Sequence, residues 1–437
     1  MNPRLFSASA LLMSAAVVDP ALAQSTSKID AADTGFMIVC TALVLMMTLP
    51  GLALFYAGMV RRKTVLATMA QSAASIAIVS LLWIAVGYSL TFSGDGPIFG
   101  DLSRAFLLGI KPDTTTALAP TIPELLFMLY QMTFAIITCA LIGGSVADRM
   151  RFSAFLIFSV LWLFLVYVPS AHMVWGNGWL AKLGVIDFAG GTVVHINAGI
   201  AGLVAALMIG PRHGYGRDNF APYDLSMAVV GTGLLWVGWF GFNGGSALGA
   251  GSRAVYAITA THLAACAGAV VWTGLEWIQR GRPSVLGIIS GAIAGLGTVT
   301  PASGFILPWH GVVIGVIAGA LCYWACIWLK HKLAYDDSLD VFGVHGVGGL
   351  LGTMLAGVFA TGSLSATPEL AEGLRGLVDG NPGQVVTQAI GVVVTTLWCA
   401  AGTFVALKVT AFMTPLRASR DEEVEGLDLA LHGERLH

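Results

Sequence analysis

Apolar residues fall in long continuous runs along the chain, and short polar segments separate them. After the first 30 positions there are eleven such runs of about 20 residues each. At 1.5 Å per residue, a helix of that length crosses the roughly 30 Å hydrocarbon core of a bilayer. The pattern predicts an all-α polytopic membrane protein with eleven transmembrane helices, centred near residues 47, 78, 133, 162, 201, 235, 267, 291, 317, 351 and 399.

The first 24 residues, MNPRLFSASALLMSAAVVDPALAQ, form a separate unit. An early cation, Arg4, precedes a short apolar stretch, and the small residues Ala21-Leu22-Ala23 follow it. This order is typical of a secretory signal peptide, residues 1–23, cleaved after Ala23. A twelfth membrane helix is the alternative interpretation of the same stretch. Cleavage predicts that the mature N-terminus lies outside the cytoplasm.

Composition supports a membrane protein and excludes other classes. The chain is 56% hydrophobic and 11% charged, whereas soluble domains carry about 25% charged residues. A net charge of −2 offers no basic face for nucleic acid. The six cysteines all lie inside apolar runs and form no CxxC pair. We therefore predict a protein that binds neither nucleic acid, nor a metal, nor a cofactor.

Lysine and arginine divide unequally between the two sets of loops. With the mature N-terminus outside, the predicted cytoplasmic loops contain eleven of them and the opposite loops six. An excess of positive charge marks the cytoplasmic side, so this distribution predicts an N-out, C-in topology. The cytoplasmic group is Arg61, Arg62, Lys63, Arg149, Arg151, Arg212, Arg217, Arg280, Arg282, Lys330 and Lys332; the opposite group is Lys28, Arg104, Lys111, Lys182, Arg253 and Arg375.

Two histidines occupy matching places in two apolar runs. His195 lies in GGTVVHINAGIAG, residues 190–202, and His345 in DVFGVHGVGGLLGT, residues 340–353. In both runs the residues three, four and seven positions later are small, so each imidazole projects from a helix face that another backbone can approach. Eleven spans divide into five, five and one, and a five-helix repeat must be inverted. We predict a buried histidine pair; two unrelated core histidines are the alternative.

A cluster of aromatic residues is predicted at the outer ends of three spans. Tyr130 and Phe134 are four residues apart in span three, Trp175 ends span four, and Phe242 and Ser246 are four residues apart in span six. Aromatic faces and a hydroxyl group can replace part of the water around a small cation. An ordinary belt of interfacial aromatics is the alternative.

The sequence resembles the ammonium transporter family, which is related to the Rhesus proteins. The similarity covers essentially the whole mature chain, and DFAGGTVVHIN followed later by GVHGVGG is its most specific part. The other segments that carry it are PGLALFYAGMVRRK, YQMTFAIITCALIGG, RFSAFLIFSVLW, AHMVWG and WVGWFGFNGGSAL. The resemblance implies a homotrimer of eleven-helix protomers in a bacterial inner membrane, each with its own narrow hydrophobic pore.

The resemblance also implies roles for particular residues. Tyr130, Phe134, Trp175 and Ser246 would form an outer ammonium site. Phe134 and Phe242 would stack as a gate, and His195 and His345 would be a hydrogen-bonded pair in the pore. Asp187 would be a buried carboxylate that supports the outer site, with the N-cap of span five as the alternative. Tyr130 stands where the family more often has Phe, and Asn177 stands where Gly is common.

These roles predict an ammonium transporter. The ion is recruited at the aromatic site and deprotonated, and ammonia crosses a pore lined by the histidine pair, with proton co-transfer as an option. An ammonium sensor that signals to a cytoplasmic partner is the alternative function. An enzyme is not expected, because no HExxH motif or nucleotide-binding loop accompanies the histidines.

The last residues, LRASRDEEVEGLDLALHGERLH, are charged and follow the eleventh span. We divide the mature chain into a transporter domain, residues 24–415, and a cytoplasmic regulatory tail, residues 416–437. EGLD followed by HGE resembles the tail of bacterial ammonium transporters, which docks on the inner face and couples the pore to a PII signalling protein. The basic inner loops offer an acidic tail a binding surface; a solvated, frayed terminus is the alternative.

Overall fold

The computed structural model describes residues 28–366 and 371–436 of the chain. The predicted signal peptide, residues 1–23, and the twelfth helix that is its alternative lie outside these residues. Within them the protein is helical and has no β-strand, and the extended residues form two isolated β-bridges.

Eleven apolar helices occur in this part of the chain. They are α1 (Ala31–Met59), α2 (Arg62–Phe92), α3 (Glu124–Val146), α4 (Phe152–Leu183), α5 (Gly191–Ile209), α6 (Leu225–Gly244), α7 (Ser252–Arg280), α8 (Val285–Val299), α9 (Pro308–Leu333), α10 (Phe342–Phe359) and α11 (Gly383–Met413). Each of the eleven predicted centres lies inside the corresponding helix, which confirms the fold class. The direction of each helix across the membrane stays a prediction.

Helix α8 is shorter than the other ten. Its 15 residues span about 22 Å at 1.5 Å per residue, less than the thickness of a hydrocarbon core. The apolar run in the sequence is longer because it includes residues 300–306, which are buried but form turns. A Cβ atom at Gly291 would lie 2.6 Å from the Gly268 carbonyl oxygen. Glycine is therefore needed where α8 meets the backbone of α7.

The two histidines lie at equivalent places in α5 and α10. His195 belongs to a π-helical turn at Gly191–Ile196, and His345 belongs to another at Phe342–Gly346. In both helices a regular α-helical segment follows. Such widened turns are frequent at functional sites, because they displace a side chain from the regular helical position.

Helices α5 and α10 cross closely beside these turns. A Cβ atom at Gly199 would lie 2.1 Å from the backbone nitrogen of Gly346, and one at Gly349 would lie 2.8 Å from that of Ile196. Neither distance is compatible with a side chain. The close backbone approach that the small residues predict is therefore confirmed.

Candidate functional site

Three cavities follow one another through the helix bundle. The first, the outer vestibule, is lined by Phe134, Trp175, Asp187, Ser246, Arg253 and Phe305, among others. The second, the passage, is lined by Phe242, His195, His345, Trp239, Phe55 and Ile293, among others. The third, the inner vestibule, shares Phe55, Ile293 and His345 with the passage and adds Tyr56, Ser338 and Asp340. We name the two vestibules by the predicted topology.

Two stacked phenyl rings separate the outer vestibule from the passage. The ring centroids of Phe134 and Phe242 lie 4.2 Å apart with an interplanar angle of 29°. Both side chains are buried, each about 1% exposed. Phe134 faces the outer vestibule and Phe242 faces the passage. These two rings, which the sequence assigns to a gate, therefore form the partition between the two cavities.

Three of the four residues predicted for the outer site line the outer vestibule, and Tyr130 does not. Phe134, Trp175 and Ser246 face the cavity, whereas Tyr130 is fully buried behind the Phe134 ring, 5.0 Å away. The Tyr130 hydroxyl lies 2.8 Å from the Phe242 carbonyl oxygen and 3.3 Å from Ser246 Oγ. Tyr130 thus fixes α3 against α6 and places Ser246, which a phenylalanine at this position cannot do.

Trp175 is held by a hydrogen bond to the segment that precedes α5. Its indole Nε1 donates to the Asp187 carbonyl oxygen at 2.8 Å. Its ring meets the Phe134 ring edge to face, with centroids 5.8 Å apart. Trp175 is therefore oriented from both sides, with its aromatic surface toward the vestibule.

The Asp187 side chain caps the N-terminus of α5. Its Oδ1 accepts from the N–H groups of Gly190 and Gly191, both at 2.7 Å, and its Oδ2 accepts from the N–H of Thr192 at 2.8 Å and from the Thr192 hydroxyl. The N-cap position, which was the alternative role for Asp187, is occupied by Gly190. Asp187 lies three residues earlier, and its side chain accepts the free N–H groups of the first turn from there. Through its backbone carbonyl the same residue also positions Trp175.

His195 and His345 form a pair inside the passage. Their Nδ1 atoms lie 3.1 Å apart, and the rings are nearly parallel, with an interplanar angle of 7°. His195 Nε2 is buried and has no hydrogen-bond partner within the described residues. The other ten of the twelve residues that line the passage are aliphatic or aromatic. The two imidazoles are therefore the hydrogen-bonding side chains of an otherwise apolar cavity.

The passage is narrow. The space open to the centre of a water-sized molecule is about 10 Å³, roughly the room that one water needs. A hydrated ion does not fit such a space. A single molecule the size of ammonia or water does.

Sequence reasoning missed Trp239. Its indole stacks on the His195 imidazole, with centroids 5.7 Å apart and an interplanar angle of 14°. Its Nε1 donates to Thr300 Oγ1 at 2.9 Å, which ties α6 to the turn after α8. The sequence shows Trp239 only as one of several aromatics in WVGWFGFNGG. Its role follows from tertiary packing: α6 lies against α1 and α8, and this places the Trp239 ring on His195 of α5. Local pattern does not encode that arrangement.

The tail forms two short helices on the surface of the loops that are predicted to be cytoplasmic. These are α12 (Arg420–Glu425) and α13 (Leu427–His432). Arg151 contacts both carboxylate oxygens of Glu422, at 2.6 and 2.7 Å. Lys63 Nζ donates to the Val424 carbonyl oxygen at 2.5 Å. The tail is thus ordered on the loops of its own chain and is not frayed.

Only part of the predicted basic surface contacts the tail. Arg61 and Arg212 both contact Asp148, at 3.1 and 3.3 Å, in a buried network beneath the surface. Arg149 is also buried and donates to the Asp336 carbonyl oxygen at 2.5 Å. Burial lowers the pKa of Arg149 to about 10. The side chains of these three residues therefore join the loops to one another, and only the backbone carbonyl of Arg149 contacts the tail, where it accepts from the N–H of Ala418 at 2.9 Å.

Asp428 links the tail to a membrane helix. Its Oδ1 accepts from the backbone N–H of Ala67 at 2.8 Å, in the first α-helical turn after Thr64. Free N–H groups at a helix N-terminus favour a carboxylate. Burial raises the pKa of the Asp428 carboxyl, and the hydrogen bond from Ala67 opposes that shift. A tail residue thereby caps α2, a helix more than 350 positions earlier in the chain.

The fold and the cavities define a class of protein. A multi-pass membrane bundle that encloses a narrow, mostly apolar passage behind two stacked rings is suited to moving a small solute across a membrane. The sequence profile of the Ammonium Transporter Family matches residues 35–436. The chain therefore belongs to this family; it is a multi-pass membrane transporter and not an enzyme.

Individual relatives agree with this assignment. The chain is similar to an ammonium transporter of Bacillus subtilis, with 48% identity over 407 residues that cover 93% of this chain and 98% of that protein. In structure it is similar to Mep2 of Saccharomyces cerevisiae, with a TM-score of 0.82, 36% identity, and 90% and 89% of the two chains covered. A sensor Amt protein matches with a TM-score of 0.83, 29% identity, and coverage of 92% and 98%.

Proposed function

We propose that this ammonium transporter binds the ammonium ion in the outer vestibule, removes its proton near the Phe134–Phe242 partition and conducts ammonia past the histidine pair. The observation that carries the proposal is the 3.1 Å contact between His195 Nδ1 and His345 Nδ1 in an otherwise apolar passage. This pair gives a small polar molecule hydrogen-bonding partners where the rest of the wall offers none.

Electrostatics explains why the ion loses its proton. Moving a bare monovalent ion from water into an apolar interior costs of order 20 kcal/mol before relaxation. Ammonia carries no charge and avoids most of this cost. A passage with room for about one water and with aliphatic walls therefore favours ammonia over ammonium.

The geometry of the pair fixes what it presents to ammonia. When both rings are neutral, one Nδ1 carries the shared proton and donates to the other. The donating ring then has an unprotonated Nε2 and the accepting ring has an Nε2–H. The pair thus offers one acceptor and one donor to the passage. The roles are exchanged when the shared proton moves to the second Nδ1, the second ring releases its Nε2 proton and the first ring takes up a proton at Nε2. One proton has then crossed the pair.

The same structure accounts for selection against other cations. Aromatic faces and one hydroxyl group, supplied by Trp175, Phe134 and Ser246, favour a small cation by roughly 0.5–2 kcal/mol per face. K⁺ and Na⁺ cannot lose a proton, so they meet the full desolvation cost at the partition. The walls of the passage are side chains and offer no ring of carbonyl oxygens to replace the water around these ions.

Replacing Trp175 by leucine is expected to raise the half-saturation concentration for methylammonium uptake severalfold while protein abundance stays unchanged. The variant removes one cation–π face, worth about 0.5–2 kcal/mol, and keeps apolar bulk. Uptake by the purified protein in proteoliposomes measures it. Trp398→Leu is the matched control, because Trp398 lies outside the vestibule and donates to the Leu165 carbonyl oxygen. Equal half-saturation in both variants would support the aromatic-belt interpretation.

The sensor interpretation assigns the same outer site to signalling, and the similarity to a sensor Amt protein is the observation that favours it. Uptake distinguishes the two, because a sensor without transport binds ammonium and moves none. We propose transport as the principal function, because a succession of cavities, divided by the Phe134–Phe242 rings, runs from one vestibule to the other.

We further propose that the tail couples the pore to a PII signalling protein and that three chains assemble as a homotrimer in the bilayer. Deleting residues 421–437 is expected to lower transport and to weaken PII binding while trimer assembly is retained. The physical reason is the loss of the contacts that Asp428 and Glu422 make to the cytoplasmic end of the bundle.

Two point variants refine this test. Asp428→Ala removes the cap on α2 and is expected to reproduce part of the deletion, whereas Asp421→Ala changes an exposed residue of the same tail. Uptake, PII pull-down and size-exclusion chromatography measure the three properties. Full transport and unaltered PII binding after the deletion would refute the proposed role of the tail.

A further inference from the structure

The outer vestibule of this cation transporter contains an arginine. Arg253 is the second residue of α7 and lines the same cavity as Phe134, Trp175 and Ser246. It belongs to the group of six cations that the predicted topology places outside. The function proposed above does not use it.

Arg253 is held in place by aromatic rings and a backbone carbonyl. Its guanidinium lies 5.0 Å from the centroid of the Phe188 ring and 4.9 Å from that of Phe305. Its Nε donates to the Gly304 carbonyl oxygen at 3.1 Å. These contacts leave the side chain partly exposed to the vestibule, so the guanidinium is positioned and not free to move away.

No carboxylate forms an ion pair with Arg253 within residues 28–366 and 371–436. Asp187 also lines the vestibule, but its two carboxylate oxygens accept hydrogen bonds from the N–H groups at the start of α5 and form no ion pair with Arg253. An arginine in the first turn of a helix also opposes the helix dipole. Stabilisation of α7 therefore does not account for an arginine at this position. Its positive charge faces the outer vestibule.

We propose that Arg253 sets the affinity of the outer vestibule by repelling the cations that enter it, so that bound ammonium stays weakly held and passes onward. The proposal rests on the recruitment site proposed above. A transport site must bind its ion strongly enough to admit it and weakly enough to release it. The aromatic faces of Trp175 and Phe134 supply the attraction, and Arg253 supplies the opposing charge.

Removal of this charge is expected to strengthen binding. At effective dielectric constants between 20 and 80, a like charge about 12 Å away changes affinity by about two- to tenfold. Arg253→Gln should therefore lower the half-saturation concentration for methylammonium by that factor. The concentration at which ammonium inhibits this uptake should fall by the same factor, because the repulsion acts on any monovalent cation.

Four variants in proteoliposomes test the proposal. Arg253→Gln and Arg253→Met both remove the charge and should both lower the half-saturation concentration. Arg253→Lys retains the charge without the planar guanidinium, so its half-saturation concentration should stay close to that of the wild-type protein. Lys111→Gln is the control, because it removes one positive charge from the same predicted face and lies outside the vestibule lining.

The dependence of uptake on ionic strength gives a second test of the proposal. Adding the large cation N-methyl-D-glucamine as its chloride screens the guanidinium and should lower the half-saturation concentration of the wild-type protein. The difference between wild type and Arg253→Gln should shrink as salt rises.

Two results would overturn the proposal. One is an unchanged or higher half-saturation concentration in both Arg253→Gln and Arg253→Met; the other is Arg253→Lys behaving like Arg253→Gln, which would assign Arg253 a packing role. Either result would refute the role of Arg253 and leave the recruitment site intact, as long as saturable uptake still requires Trp175. Absence of saturable uptake in the wild type would instead refute the recruitment site itself.

Discussion

Replacing His195 by alanine is expected to abolish ammonium conduction. The substitution removes one half of the Nδ1–Nδ1 contact with His345 and one of the two hydrogen-bonding side chains of the passage. Ammonia would then leave water for a wall that offers it too few partners, and an unmet hydrogen bond of a buried polar group costs about 1–3 kcal/mol. The proton route through the pair is cut at the same time.

The measurement is uptake of ¹⁵N-ammonium into proteoliposomes, with His345→Ala beside it. His262→Ala is the matched control: His262 is another histidine of the helical bundle, on α7, and packs against the Trp236 and Phe240 rings outside the passage. It should retain wild-type uptake. Wild-type flux with unchanged selectivity over K⁺ in folded His195→Ala would remove the pair from the mechanism.

Replacing Asp187 by alanine is expected to cause the largest loss of stability among these variants. The substitution leaves the N–H groups of Gly190, Gly191 and Thr192 without their acceptor in a buried site. Loss of a helix cap costs up to about 2 kcal/mol, and each buried donor left unmet costs about 1–3 kcal/mol. We therefore expect a loss of about 3 kcal/mol or more.

Thermal unfolding in detergent micelles, followed by tryptophan fluorescence, measures this loss. Asp224→Ala is the matched control, because the Asp224 carboxylate likewise accepts from first-turn N–H groups of α6, those of Ser226 and Met227, but is only partly buried. Its effect should be clearly smaller. Asp187→Asn keeps an acceptor oxygen and should fall between wild type and alanine. Equal midpoints of thermal unfolding for Asp187→Ala and Asp224→Ala would contradict this prediction, because burial of the carboxylate would then add nothing to its contribution to stability.

The helices were predictable from the sequence, because a helix that crosses a membrane requires a continuous run of apolar residues. Runs of about 20 apolar residues located all eleven helices. Only α8 is shorter than its apolar run, because the run continues into the buried turns at residues 300–306. The pairing of His195 with His345 was predictable from their matching positions and the small residues beside them. The Phe134–Phe242 stack was predictable from resemblance to a known family.

Other parts of the site depend on tertiary packing that local pattern does not contain. Tyr130 was assigned to the outer site, yet its hydroxyl is committed to the α6 backbone and the side chain lies behind Phe134. The Trp239 ring of α6 stacks on the His195 imidazole of α5, although α6 packs mainly against α1 and α8. Asp428 caps α2 across more than 350 residues of sequence. Each contact joins segments whose relative position only the folded chain determines.

The most direct test of conduction of ammonia through this passage combines two recordings on the same proteoliposomes of the wild-type protein. Uptake of ¹⁵N-ammonium and membrane current are measured together, first with an ammonium gradient and then with an equal K⁺ gradient. The account predicts saturable, protein-dependent ammonium uptake and no K⁺ current above that of empty liposomes. A K⁺ current comparable to the ammonium signal, or the absence of protein-dependent uptake, would contradict it.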